Sequence, residues 1–512
     1  MPGKSMNMNK ARLTFLMGLM LAVITLAIYW KVAHHEFINL DDPSFVTENI
    51  HVSTGLTLKN IIWAATPEPG VGWFPVTWLS HMADVQMFGL NPRWHHLENV
   101  FIHIAATVLL FIFLFRLTNG LWRSAFVAAI FAVHPLHVES VAWIAERRDV
   151  LSAFFGYLTL LLYSEYVIRR RRALYYFSLL PFVAGLMSKP ILVTLPIIML
   201  LVDFWRFVDN NLTGTSLKAI SPRIWLLFLK DKIPFFVFST ISVIITVTLP
   251  TDTNVMVSRL IPIPLTVRLE NAVNAYPTYL AKIFWPTDLS VFYPFPSAAP
   301  LWHVIGSSLI LISITVAVIM HGRHHPYLLT GWSWFLVMLV PVLGIIPIGD
   351  HVIADRYTYL SMTGILIMVA WGFDSLTKTI RHQKLIVALI AGSVVFGSAW
   401  ATCHQINYWH DSISLFNHAI TVTSHNDIAH INLGDVFLEK GNIDSAITEY
   451  QEALKISPGN YFAHNGLGVA FHKNGNLDAA IKEYNEALKI NPVYSDAKTN
   501  LSIAIENKNA VK

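Results

Sequence analysis

Apolar runs alternate with short polar connections over the first 404 residues, near positions 13–33, 97–117, 124–142, 149–168, 173–188, 190–205, 233–250, 302–320, 326–347, 357–374 and 385–403. A membrane-crossing helix needs about 20 apolar residues, so the pattern predicts about eleven transmembrane helices, the fifth and sixth being short. The first run follows Lys4, Lys10 and Arg12 and has no A-x-A-like site after it, which predicts an uncleaved first span. Two connections are long. The first, about 34–95, carries "TLKNIIWAA" and "FPVTWLSHMADVQMFG", whose Trp and Phe suit helices lying in the membrane interface. The second, about 251–301, carries "RLENAVNAYPTYLAKIFWP", a further interfacial helix, then the loop "DLSVFYPFPSAAP".

After Cys403 the pattern changes. Gly434 and Gly468, Ala446 and Ala480, Tyr450 and Tyr484, Ala453 and Ala487, Pro458 and Pro492 are pairs 34 residues apart. That is the tetratricopeptide period, in which small residues let the two helices of a repeat approach closely. The spacing predicts full repeats over 427–460 and 461–494, a half repeat before them and a polar capping helix after them. The chain thus divides into a polytopic membrane part, 1–404, and a repeat part, 405–512. The predicted fold class is all-α: a helical membrane bundle followed by an α-solenoid.

Composition agrees with this division. Charged residues make up 13% of the chain and hydrophobic ones 54%; soluble domains carry about 25% charged residues. The net charge of +4 is small and its basic groups are scattered, which argues against a nucleic-acid partner. With the N-terminus inside, Arg116 and Arg123, Arg169 to Arg172, and Lys378, Arg381 and Lys384 all fall on the cytoplasmic side, the positive-inside pattern, and the repeats fall outside. One cysteine excludes a disulfide framework and a cysteine-rich zinc site.

The candidate chemistry lies in the predicted outer connections. "HPLHVESVAWIAERRDV" joins the third and fourth spans. Its His134, His137 and Glu139 have the spacing of metal ligands, of substrate-binding groups or of a structural polar loop, and Asp149 that of a helix N-cap. Arg147, Lys189 and Arg356 come from three connections to one face. They suit either a phosphate clamp or ordinary headgroup snorkelling. Asp41 and Asp42 follow the first span; a carboxylate there suits either a general base or turn chemistry.

In order along the chain, the early "DD", "NPRWHHLENVFIHI", "FAVHPLHVESVAWIAERRDVLSA", "SKPILVTLP", "RLENAVNAYPTYLAKIFWP", "DRYTYLSM" and "YWHDSISLFNHAI" leading into the repeats resemble the transmembrane-and-tetratricopeptide-repeat family of protein O-mannosyltransferases and their prokaryotic relatives. The resemblance implies a GT-C glycosyltransferase bundle, a polyprenyl-phosphate sugar donor, an acceptor polypeptide held by the repeats, and no cofactor or metal. It makes Asp41 or Asp42 the catalytic base and Arg147, Lys189 and Arg356 the donor-phosphate contacts. His134, His137, Glu139 and Asp149 become substrate-cavity residues. Where the family often has Ser-Lys-Glu, this chain has Ser188-Lys189-Pro190, and its repeat array is short. The expected setting is a prokaryotic inner membrane. The competing readings are a membrane scaffold that recruits envelope proteins, and a glycosyltransferase acting on lipid or glycan.

Overall fold

The computed structural model describes residues 8–67, 72–211, 222–249, 264–294, 300–322, 324–345 and 353–510. Residues 251–263, the first part of the predicted connection about 251–301, and the end of the "DLSVFYPFPSAAP" loop lie outside them. Every regular element among the described residues is helical. Among them, seven segments are long and apolar enough to cross a membrane: Met8–His34, Pro92–Thr118, Arg147–Arg169, Pro190–Val208, Leu301–His321, Asp355–Thr377 and Gln383–Tyr408. The chain is a multi-pass membrane protein.

The predicted count of eleven is not reproduced as eleven full spans. The third run is a pair, Leu121–Val133 and Pro135–Ala142, bent by 55°. Three others, Arg172–Leu186, Ile233–Thr248 and Pro326–Val342, are shorter apolar helices. At 1.5 Å per residue, helices of that size reach about 22–26 Å, less than a hydrocarbon core of about 30 Å. Among the described residues, the number of helices that qualify by length is therefore seven, or eight with the bent pair.

In chain order the elements that build the site are α1 (Met8–Tyr29), α2 (Leu58–Ala65), α3 (Pro75–Phe88), α4 (Pro92–Thr118), α5 (Leu121–Val133), α6 (Val138–Ala142) and α7 (Arg147–Arg169). The two pieces predicted as interfacial helices are α2 and α3. Thr57 caps α2 by accepting the Asn60 N–H, and Trp63 of α2 stacks on Trp78 of α3 with ring centroids 4.4 Å apart. The bend after α5 has a local cause. Proline disfavours helical backbone in the residue before it, and His134 is extended (φ −82°, ψ 135°) ahead of Pro135. The chain then turns back into the protein instead of running on. From Phe131 to Val150 every residue is buried except Arg148. The stretch expected to be an outer loop is an interior wall.

Further along, α8 (Arg172–Leu186) packs against α7, and α9 is Leu195–Asn211. α10 (Ile233–Thr248), α11 (Leu265–Phe284) and α12 (Leu301–His321) follow. α13 (Pro326–Leu339) and α14 (Thr358–Thr377) meet through Gly331 and Gly364; a Cβ on either would strike the carbonyl of the other. α15 (Gln383–Tyr408) leads to the repeats.

The repeats are α16 (Ser412–Val422), α17 (Asp427–Glu439), α18 (Ile443–Ile456), α19 (Tyr461–Lys473), α20 (Leu477–Ile490) and α21 (Ser495–Ala510). Asn426, Asn442, Asn460 and Asn476 each cap the helix that follows by accepting backbone N–H groups. Gly441 and Gly475 take positive φ (77° and 80°) to turn the chain between the helices of each repeat. Tyr450 and Tyr484 are fully buried, each lying over glycine, Gly434 and Gly466 for the first and Gly468 for the second. The half repeat, α16, is joined to the membrane part: the Asn39 N–H donates to Ser412 Oγ (2.8 Å) and the Glu36 N–H to the His410 carbonyl (2.9 Å).

Candidate active site

The segment "INLDD" leaves the first span as non-helical backbone and carries two carboxylates with different environments. Asp42 is fully buried; its Oδ2 accepts the Ile38 N–H (2.8 Å) and its Oδ1 the Ala145 N–H (2.9 Å). Both oxygens are spent on backbone, so Asp42 ties the 38–42 turn to the wall ahead of α7. Burial pushes its carboxyl up to about 7, against the lowering pull of those two N–H groups. The Asp41 side chain is 38% exposed and its Oδ2 lies 3.1 Å from Arg148 Nη2.

Arg148 is the one partly exposed residue of the buried wall. Its guanidinium lies over the rings of Phe45 (4.9 Å) and Phe74 (5.6 Å) and binds Glu146 Oε1 at 2.7 Å. Glu146, in the turn before α7, is the hub. Lys189 Nζ reaches its Oε2 at 2.9 Å and Arg356 Nε its Oε1 at 3.2 Å. Burial alone would raise the Glu146 carboxyl; Arg148, Lys189 and Arg356 outweigh it and hold the group well below the ordinary range. Lys189 also binds Asp149 Oδ1 (2.6 Å), and Arg356 pairs with Glu139 through its guanidinium and its backbone N–H (2.9 Å). Three cations thus meet at Glu146: Lys189 and Arg356 from the expected trio, and Arg148 where Arg147 was expected. Every one is already paired with carboxylate.

The structure revises several expected site residues. Arg147 has no exposed surface. It donates to Asn99 Oδ1 (2.8 Å) and the His95 carbonyl (2.8 Å), and its Nη1 lies 2.5 Å from Asp84 Oδ2. Consecutive helical residues point about 100° apart, so the side chain that keeps exposed surface is Arg148. His134 spends Nε2 on the Ile283 carbonyl (3.0 Å) and Nδ1 on the Leu136 N–H (3.3 Å). His137 Nδ1 bonds the Phe131 carbonyl (2.7 Å), while Glu139 holds Arg356. The trio does not converge, which removes the metal reading for it and leaves a structural one for both histidines. Asp149 is not an N-cap: α7 starts at Arg147, and the Asp149 carboxylate bonds Ser140 Oγ (3.0 Å) and Lys189. Arg148 and Glu146 were within the quoted stretch, but nothing in their spacing singled them out.

Comparison with known proteins bears on this arrangement. Residues 434–475 match the family described as TPR repeat, and residues 461–494 the family described as tetratricopeptide repeat. The protein O-mannosyl-transferase TMTC3 of Mus musculus is 23% identical over 87% of this chain and 51% of its own length. The chain is similar to protein O-mannosyl-transferases across most of its length. The TMTC3 protein of Homo sapiens is 23% identical over 86% of the chain and 51% of its own length. The human protein O-mannosyl-transferase TMTC1 is 22% identical over 84% of the chain and 54% of its own length. The chain spans about half the length of these curated relatives.

Proposed function

We propose that the chain is an inverting membrane glycosyltransferase of GT-C type. It moves a hexose, mannose in the first instance, from a polyprenyl-phosphate donor to a Ser or Thr hydroxyl of a protein on the non-cytoplasmic side. The observation that carries this reading is one juxtaposition. A half-exposed carboxylate, Asp41, sits beside the Arg148–Lys189–Arg356 cluster, two residues from the point where Asn39 bonds the first repeat helix. The names of the relatives, protein O-mannosyl-transferases, support it.

In this reading Asp41 takes the proton of the acceptor hydroxyl. The hydroxyl oxygen bonds to the anomeric carbon, and the bond from that carbon to the phosphate oxygen breaks. The electron pair leaves with the lipid phosphate, where Arg148 and the neighbouring cations offset the developing charge. Donor binding has a second effect. The Arg148–Asp41 pair is the most exposed of the cluster, and such pairs contribute about 0–1 kcal/mol. A phosphate that claims Arg148 therefore releases Asp41 at little cost, and the base is freed only when the donor is in place. Asp42, with both oxygens on backbone N–H groups, positions the turn. Counted with the bent pair and the three shorter apolar helices as crossings, the positive-inside pattern supports a cytoplasmic N-terminus and repeats on the opposite side.

The test compares Asp41→Asn and Asp42→Asn in sugar transfer from a labelled polyprenyl-phosphate hexose. Loss of turnover with unchanged donor affinity is expected for Asp41→Asn. Full activity in that variant ends the assignment. Intact masses of envelope proteins from cells with and without the chain separate enzyme from scaffold, since only the loss of a transferase removes a hexose-sized increment.

A further inference from the structure

The α3–α4 hairpin holds a cluster that the transfer reaction does not use. His81 and Asp84 are three residues apart on α3 and so share a face. Gly89, at φ 63°, ends α3, and Asn91 caps α4. The turn brings His95, in the first helical turn of α4, back against that face. All three side chains are fully buried, and one ligand atom from each lies within 4.8 Å of the others.

The histidine nitrogens of this cluster lack ordinary partners. Neither Nδ1 nor Nε2 of His81 has a hydrogen bond, nor has Nδ1 of His95, while Asp84 is held on one side by its ion pair with Arg147. His95 Nδ1 lies 3.3 Å from Asp84 Oδ2 without hydrogen-bond geometry. That separation is what two donor atoms adopt when each sits about 2.0–2.1 Å from one tetrahedral ion. His95 Nε2 meets the Gly89 carbonyl at 3.2 Å. This contact fixes the proton on Nε2 and turns the Nδ1 lone pair inward, the arrangement in which a metal-bound histidine donates its other N–H to a carbonyl.

We propose that His81, Asp84 and His95 form a binding site for one divalent transition-metal ion, zinc first, which clamps α3 to α4. Two imidazoles with a carboxylate, and no thiolate, match zinc better than copper(I), magnesium or calcium. Arg147 Nη1 shares Asp84 Oδ2 (2.5 Å) and stands 3.4 Å from Glu98 Oε2. Asp84 and Glu98 together carry one negative charge more than Arg147 offsets, so a cation is accommodated beside the guanidinium. Glu98, one turn on from His95, is the nearest further carboxylate for the fourth position. The three ligating side chains are fully buried, so the ion is structural: it holds the hairpin that anchors Arg147, and through it the neighbouring Arg148.

The full chain, purified in detergent with a tag free of histidine and loaded with zinc, is expected to retain about one zinc per chain after gel filtration. Stripping with phenanthroline lowers the unfolding midpoint and zinc sulfate restores it. Cobalt loaded in place of zinc gives visible absorption bands of a tetrahedral nitrogen–oxygen site. His81→Ala loses the metal, whereas His425→Ala, at an exposed histidine, keeps it. If His81→Ala does not fold, the wild-type cobalt spectrum and midpoint shift decide. A well-folded wild-type chain with less than about a tenth of an equivalent and no zinc-dependent midpoint overturns the proposal. So does a folded His81→Ala that keeps its zinc.

Discussion

Arg147 and Arg148 are adjacent, and the structure assigns them opposite kinds of work. In Arg147→Met a wholly buried guanidinium disappears and the fully buried Asp84 loses its ion-pair partner. Removing one member of a buried pair costs about 3–5 kcal/mol, because the remaining charge is left in the interior. In Arg148→Met the exposed pair with Asp41 is lost for about 0–1 kcal/mol. The charge-assisted bond to Glu146 adds about 1.5–3 kcal/mol, while Lys189 and Arg356 still neutralise that carboxylate. Arg148→Met therefore folds with a modest loss. Its effect falls on the donor: losing one partner of a desolvated charge pair costs about 2–5 kcal/mol, or about 30-fold to several-thousand-fold in affinity. The assay pairs thermal unfolding in detergent with titration of a polyprenyl-phosphate sugar. Wild-type stability in Arg147→Met, or wild-type donor binding in Arg148→Met, refutes the assignment.

The remaining predictions concern the support of the site. Because burial raises the Asp42 carboxyl to about 7 in the folded chain, its contribution to stability is full below about pH 4 and fades as the pH rises towards 7. Unfolding midpoints measured across that range are expected to fall for the wild type relative to Asp42→Asn, and parallel curves would contradict this. The same substitution places an amide NH2 against a backbone N–H, a buried mismatch of about 1–3 kcal/mol, visible as a lower midpoint at neutral pH. Gly364→Val forces apart the contact with the Gly331 carbonyl and is expected to cost about 1–3 kcal/mol. Asn442→Ala and Asn476→Ala each remove a cap from a repeat helix, about 1 kcal/mol apiece by urea unfolding.

The repeats were legible because they rest on spacing: Ala446 and Tyr450 recur at Ala480 and Tyr484, and the packing uses the same residues. The membrane helices were legible as apolar runs, but hydropathy does not report where a run bends, so Pro135 altered the count without altering the pattern. Within the site, Lys189 and Arg356 were legible as basic groups near the 134–150 stretch, and which of Arg147 and Arg148 joins them was not. That depends on α7 beginning at Arg147, and one residue of helix phase exchanges Arg147 for Arg148. Glu146 was hidden for another reason: a buried carboxylate gains its role from cations 2 and 43 residues away, and from one more than 200 away. His81-x-x-Asp84 and His95-x-x-Glu98 did carry a signal, two pairs at helical i, i+3 spacing close together in sequence, which the expectation of no metal passed over.

The hydrogen bonds from Glu36 and Asn39 to His410 and Ser412 bear on how the protein can be taken apart. The composition changes near residue 404, yet α16 is bonded to the same short segment that presents Asp41, and Asn426 reaches back to the Phe292 carbonyl (3.3 Å). The seam at which a repeat array can be exchanged is therefore the start of α17. A graft that joins foreign repeats at residue 404 severs the turn that aims the carboxylate. One that joins them after Asn426 leaves it whole, and lets the array be lengthened or swapped as a cartridge.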